Sequence, residues 1–227
     1  MRGSDAAIGV ALALIVGAGP AAAQIPPTPQ EITAYRELHA AAAEGDVSKV
    51  RELARQGGDL NARDAHGRTP LLVAAHRSRR DAMRALVEAG ADVNAKDSQR
   101  YDIITIAAVA DDVETLKFAI ALGCDPKAIT SPYDGTALIA AAHLGHAEVV
   151  RTLIAAGAPL DHVNNLGWTA VMEAVVLGDG GSRHQASLKA LIDAGADTRI
   201  ADRSGVTPLA HAERRGFTEM VALLSRK

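Results

Sequence analysis

The chain has 227 residues, 48% of them hydrophobic and 22% charged, and a formal net charge of −3. It is long enough for one or two ordinary domains, and too nearly neutral for general attraction to nucleic acid or anionic membranes. Its single cysteine, Cys124, excludes an internal disulfide, and an aromatic content of 3% fits small helix-on-helix contacts rather than a bulky core.

The first 23 residues read as an export signal. Arg2 gives a positive start, residues 6–19 carry no charge, and Ala21-Ala22-Ala23 offers a small-residue cleavage site before Gln24. Cleavage after Ala23 and a periplasmic location are expected. If the segment stayed uncleaved, residues 6–23 would give 18 uncharged positions, near the lower limit for a membrane span, and the protein would be a tethered scaffold. Residues 24–30, with three prolines, read as an extended linker.

From residue 31 onward the chain repeats. Gly57, Gly90, Gly123 and Gly157 are spaced by 33, 33 and 34 residues, and Gly195 follows after 38. Each opens a short phrase such as Gly90-Ala91-Asp92-Val93-Asn94. A second anchor lies 21 residues before a glycine, at Thr69-Pro70-Leu71 and Thr136-Ala137-Leu138, and Thr207-Pro208-Leu209 begins a last unit. Threonine is a helix N-cap and proline suits the first helical position, so a helix should start at each anchor. A second helix should carry stripes such as Met83/Leu86/Val87 and Val150/Leu153/Ile154 and end at the glycine in a left-handed cap. Period and phrase together resemble the ankyrin family. The resemblance implies an all-α ankyrin-repeat solenoid of about six helix-turn-helix units with short β-hairpin fingers. The units fall at approximately 31–63, 64–96, 97–130, 131–163, 164–201 and 202–227.

Several units depart from the pattern. The first lacks the threonine-proline anchor and the sixth stops after its second helix, as terminal caps do. In the third, Arg100-Tyr101-Asp102-Ile103 replaces the anchor, with Asp102 able to cap the helix. The fourth has one extra residue between Lys127 and Tyr133. The fifth runs 26 residues from Thr169 to Gly195 instead of 21, which places a five-residue insertion around residues 178–184, read as a flexible surface loop ending in Arg183 and His184.

No sequence pattern for a nucleophile elbow, a metalloprotease helix, a cysteine pair or a phosphate loop is present, so no catalytic residue, metal or cofactor is assigned. His39 and His146 occupy ordinary structural positions of the family. His66, His76 and His143 fall toward its open face without metal-ligand spacing, which leaves a small metal- or ligand-binding protein as an alternative. Cys124 reads as a small buried residue. The family resemblance implies a noncatalytic protein-protein interaction module that works through its concave finger and inner-helix face. On that face Tyr101, Tyr133 and Trp168 are the candidate apolar anchors, and Arg68, Arg77 and Arg100 the candidate charge-pairing residues. The second set belongs to a basic stretch with Arg63, His66, His76, Arg79, Arg80 and Lys96. It favours an acidic protein surface over nucleic acid as partner.

Overall fold

A computed structural model describes residues 24–226; the expected signal segment lies outside the described residues. Thirteen helices follow one another: α1 (Pro29–Ala34), α2 (Glu37–Glu44), α3 (Val47–Arg55), α4 (Pro70–His76), α5 (Arg80–Glu88), α6 (Ile103–Val109), α7 (Val113–Ala121), α8 (Ala137–Leu144), α9 (Ala147–Ala155), α10 (Ala170–Val176), α11 (Ser182–Asp193), α12 (Pro208–Arg214) and α13 (Thr218–Leu224). From α2 on they form six pairs. The first helices of the pairs, α2, α4, α6, α8, α10 and α12, pack in sequence into an inner layer. The second helices form an outer layer, in which α3 packs on α5 and α7, α9, α11 and α13 follow one another. The core runs continuously between the layers, from Leu38 and Val50 through Leu86, Leu116 and Leu153 to Leu191 and Met220. A single pair cannot bury its apolar face alone, so each depends on its neighbours.

Local chemistry explains the boundaries. The side chains of Thr69, Asp102, Thr136, Thr169 and Thr207 each accept from the backbone N–H three residues on, capping the five inner helices from α4 to α12. Asp102 thus does the work of the missing threonine in the third unit. At the other end of each unit, the glycine ending the second helix takes positive φ, between 83° and 105° at Gly57, Gly90, Gly123, Gly157 and Gly195. The next residue then donates back to the helix, as in Gly58 N–H to the Leu53 carbonyl at 3.0 Å and Ala91 N–H to that of Leu86 at 3.0 Å.

The fingers between units are turns held by one side-chain oxygen rather than extended strands. Asp64 Oδ1 accepts from the backbone N–H of His66 and Arg68, Asp97 Oδ1 from Gln99 and Tyr101, Asn164 Oδ1 from Leu166 and Trp168, and Asp202 Oδ1 from Ser204 and Val206. Such local capture of the backbone is what short polar side chains do in turns. A backbone pair then spans the base of each finger: Asp64 to Arg68, Asp97 to Tyr101, Thr130 to Gly135, Asn164 to Trp168 and Asp202 to Val206. In the fourth unit the extra residue sits inside this loop, and Ser131 Oγ takes over the acceptor role toward Tyr133 and Gly135. The isolated antiparallel bridge between Ile129 and Thr136 is the one trace of β pairing among the described residues.

Gly67 closes the second finger at φ +72°, and a Cβ there would meet Ser98 Oγ at 2.4 Å and Ser98 N at 2.8 Å. Gly205, the equivalent residue of the last finger, has φ +76° with nothing within 4 Å. Both pay the left-handed penalty on substitution, but only Gly67 must also push its neighbour away. Thermal or urea unfolding should therefore show Gly67→Ala costing about 2 kcal/mol and Gly205→Ala about 1 kcal/mol.

Two stretches differ from the sequence reading. The proline-rich segment is not a free linker: Gln24 and Pro27 are buried, and Thr28 caps α1 through a reciprocal pair with Glu31. The insertion in the fifth unit is not a flexible loop either. α11 has 12 residues against 9 in α9, so three of the five inserted residues form an extra helical turn. Arg183 and His184 lie on that turn. His184 Nδ1 pairs with Asp179 Oδ1 at 2.8 Å and its Nε2 bonds the His143 carbonyl at 2.8 Å, fixing the added turn against the fourth unit.

Candidate functional site

The six candidate contact residues scatter once the chain is folded. Arg68 is fully buried, with Nε on Asp64 Oδ2 at 2.6 Å, Nη2 on Glu31 Oε1 at 2.6 Å and Nη1 on the Ile25 carbonyl at 3.0 Å. It clasps the amino-terminal segment to the second unit and offers nothing to a partner. Tyr101 is 8% exposed and belongs to the core between fingers. Trp168 is half-buried, and Arg77 and Tyr133 are exposed. Arg100 is exposed, with Nη1 on Asp134 Oδ1 at 2.7 Å.

Much of the basic stretch is engaged in joining units. Arg63 Nη1 donates to the Gly67 carbonyl and, one repeat on, to the Lys96 carbonyl, both at 2.7 Å. Lys96 Nζ repeats the reach to the Ile129 carbonyl at 2.9 Å. Arg79 bonds the Ala43 carbonyl, and Arg80 bonds Thr115 Oγ1. The sequence reads these cations only as a basic stretch. Each is a brace about one repeat long.

The histidines are engaged as well. His39 bonds the Arg68 carbonyl, His146 that of Ala108 and His162 that of Asp134. His66 pairs with Glu31 at 3.1 Å. His76 is driven to a pKa of about 4 by burial, with the Arg68 charge adding to the shift, so it is neutral at physiological pH. Among the described residues no three His, Cys, Asp or Glu side chains converge to hold a metal. Cys124 is buried, its thiol pushed up to about 12 by burial, which leaves it a poor nucleophile.

The exposed apolar surface gathers elsewhere. Ile129, Tyr133, Val163 and Leu166 are 39%, 38%, 45% and 41% exposed, and among the described residues only Ile25 and Leu144 join them as exposed large apolar side chains. All four lie on the neighbouring fingers of the fourth and fifth units, which are tied by Asn165 N–H on the Tyr133 carbonyl at 2.8 Å. Aligning the fingers explains the clustering. The residue six places after each repeat glycine is Arg63, Lys96, Ile129, Val163 and Ala201, and the residue before the positive-φ position is His66, Gln99, Tyr133, Leu166 and Ser204. Both columns carry large apolar side chains in the same two fingers, those that lead into the fourth and fifth units. Ile129, Val163 and Leu166 were missed because no single residue announces them, yet column alignment alone would have found them.

Beneath these fingers the inner helices carry a polar cluster. Glu173 on α10 is 4% exposed; Asn164 Nδ2 donates to its Oε1 at 2.9 Å, and His143 Nδ1 lies 3.1 Å from its Oε2. His143 remains 37% exposed, held in one orientation beside the half-buried Trp168 finger. In the sixth unit the same two positions exchange chemistry: His211 Nε2 pairs with Asp202 Oδ2 at 2.7 Å. The fourth and fifth units thus combine large exposed apolar side chains, a rigid turn frame and an oriented imidazole. Large apolar side chains gathered in the open on adjacent fingers are a mark of interaction sites.

Comparison with known proteins agrees with this architecture. A family profile described as Ankyrin repeats (3 copies) matches residues 23–97 and 104–199. Its gap holds the end of the third finger, where Arg100 and Tyr101 replace the usual glycine and its neighbour. The chain is 34% identical to the ankyrin repeat protein YahD of Escherichia coli (strain K12) over 185 residues, 81% of this chain and 92% of that protein. An ankyrin repeat domain from Acinetobacter baumannii shares 45% identity and a TM-score of 0.76, covering 82% of this chain and 95% of its own. A chain from the complex of a predatory endopeptidase of Bdellovibrio bacteriovorus with an immunity protein shares 26% identity and a TM-score of 0.70, covering 85% and 98%.

Proposed function

The chain belongs to the ankyrin-repeat family, whose repeats are protein-protein interaction modules and whose members are generally noncatalytic, and from that premise we propose that it is an exported binding protein whose contact surface is the paired fingers of units four and five. The support for export is the uncharged run of residues 6–19 and the small-residue site Ala21-Ala22-Ala23, which read as a cleaved signal for passage to the periplasm. The observation that carries the contact surface is the confinement of Ile129, Tyr133, Val163 and Leu166 to two adjacent fingers. Tyrosine beside aliphatic side chains forms an apolar centre, and Arg100, paired with Asp134 of the neighbouring finger, provides a charged margin. A frame of side-chain-braced turns is ordered before association, so little conformational entropy is lost on binding. The match to a chain in an endopeptidase–immunity protein complex supports a protein partner rather than a nucleic acid.

The test is affinity capture from a periplasmic extract with residues 24–227, beside a triple variant Tyr133→Ala, Val163→Asp, Leu166→Asp. The altered side chains are exposed, so the variant should keep its unfolding midpoint. Affinity for the captured protein should fall at least about 30-fold, the equivalent of one strong anchor. Equal retention by both chains would remove this surface from the reading.

A further inference from the structure

Resting on the export reading, in which cleavage after Ala23 makes Gln24 the first residue of the mature chain, we infer that Gln24 is a modification site that closes to a pyroglutamyl ring. Four observations carry this. Ala21-Ala22-Ala23 sets the cleavage point directly before a glutamine. Gln24 is drawn onto the fold, 8% exposed, and is followed by Ile25, whose carbonyl accepts from buried Arg68, and by buried Pro27. This terminus is tied down where most would fray. Finally, the side-chain Nε2 of Gln24 is buried with no hydrogen-bond partner. An amide nitrogen buried in this way is unfavourable, and cyclisation removes that atom from the molecule.

The reaction balances without a co-reactant. The free α-amino nitrogen attacks the side-chain carbonyl carbon Cδ, a Cδ–N bond forms, the Cδ–Nε2 bond breaks, and Nε2 leaves as ammonia with the proton given up by the amine. No atom changes oxidation state. The α-amino group becomes an amide nitrogen, so the terminus also loses its positive charge and its susceptibility to aminopeptidases.

The experiment is intact mass and amino-terminal degradation of the full chain after export, compared with Gln24→Asn, whose shorter side chain would need a four-membered ring. The exported protein should have the mass of residues 24–227 less one ammonia and a blocked terminus, and the variant the full mass and a free one. A chain beginning at Gln24 with full mass and a free amine overturns the modification and leaves the export reading standing. A chain beginning anywhere else overturns both.

Discussion

Replacing Arg68 with alanine should cost about 3–5 kcal/mol of unfolding free energy, the usual loss when one member of a buried ion cluster is removed. The guanidinium is fully buried and uses three nitrogens in three directions, toward Asp64, Glu31 and the Ile25 carbonyl. Its removal leaves two carboxylates in one site without a cation, and frees the strap that runs from Gln24 into α1. Arg68→Lys should rescue little, because a single ammonium cannot reach three acceptors held in a planar fork. Urea unfolding checks the magnitude, and amide exchange checks the place. Protection should fall in residues 24–35 and the second unit, with the sixth unit keeping its own. A loss under about 1 kcal/mol would show that the cluster is not what anchors the strap.

The same cluster fixes a pH response. Glu31 sits below the usual carboxylate range through the Thr28 backbone N–H, with Arg68 adding to the effect. Burial pushes Asp64 up, but hydrogen bonds from Tyr35, Arg68 and His66 outweigh it and hold its carboxyl low. Groups with depressed folded pKa values stabilise fully above their unfolded pKa, and that contribution disappears as pH falls through the folded value. Stability of the unmodified chain should therefore decline below about pH 4. In Arg68→Ala this acid-sensitive part should shrink without vanishing, because the bonds from Thr28 to Glu31 and from Tyr35 to Asp64 remain.

A second large effect concerns the pair beneath the fifth finger. Asn164→Asp replaces the donor facing Glu173 Oε1 at 2.9 Å with a carboxylate oxygen, and should cost about 2–3 kcal/mol at neutral pH. The double variant Asn164→Asp, Glu173→His rebuilds in the fifth unit the arrangement of Asp202 and His211 in the sixth. It should recover part of that loss, with a coupling energy of at least about 1 kcal/mol in a double-mutant cycle. Recovery stays incomplete because His143 loses its bond to Glu173 Oε2. Additive losses would mean that the two units do not share a common design at these positions.

The repeat was legible because its determinants are local. A threonine three residues before the N–H it caps, a glycine ending a helix and an aspartate bonding within its own turn all act over four residues or fewer, and Asp102 could be read as a substitute cap for that reason. The fate of Arg68 was not legible. Its partners Glu31 and Ile25 lie 37 and 43 residues away, and position 68 looks like any finger residue until the unit before it is in place. Tyr101 differs similarly: an aromatic on a finger reads as a contact, whereas the fold leaves it only 8% exposed. Tyr133 escapes because it stands before the positive-φ residue of its finger rather than after it, the column in which Leu166 is also exposed. The insertion in the fifth unit looked like a glycine-rich loop, but His184 finds Asp179 and the His143 carbonyl, and those bonds convert most of it into helix.

The joint between the second and third units has a mechanical consequence. In the outer layer α5 and α7 do not pack closely as the other consecutive helices do. Side chains bridge them instead: Arg84 over the Phe118 ring at 4.8 Å, Arg80 on Thr115 and Ser78 on Asp112. A stack bent by thermal force yields first where its cross-section is held by long side chains rather than by packed backbones. Bending of this solenoid is therefore expected to concentrate in the outer layer between the second and third units, where the inner helices α4 and α6 still hold the two halves together.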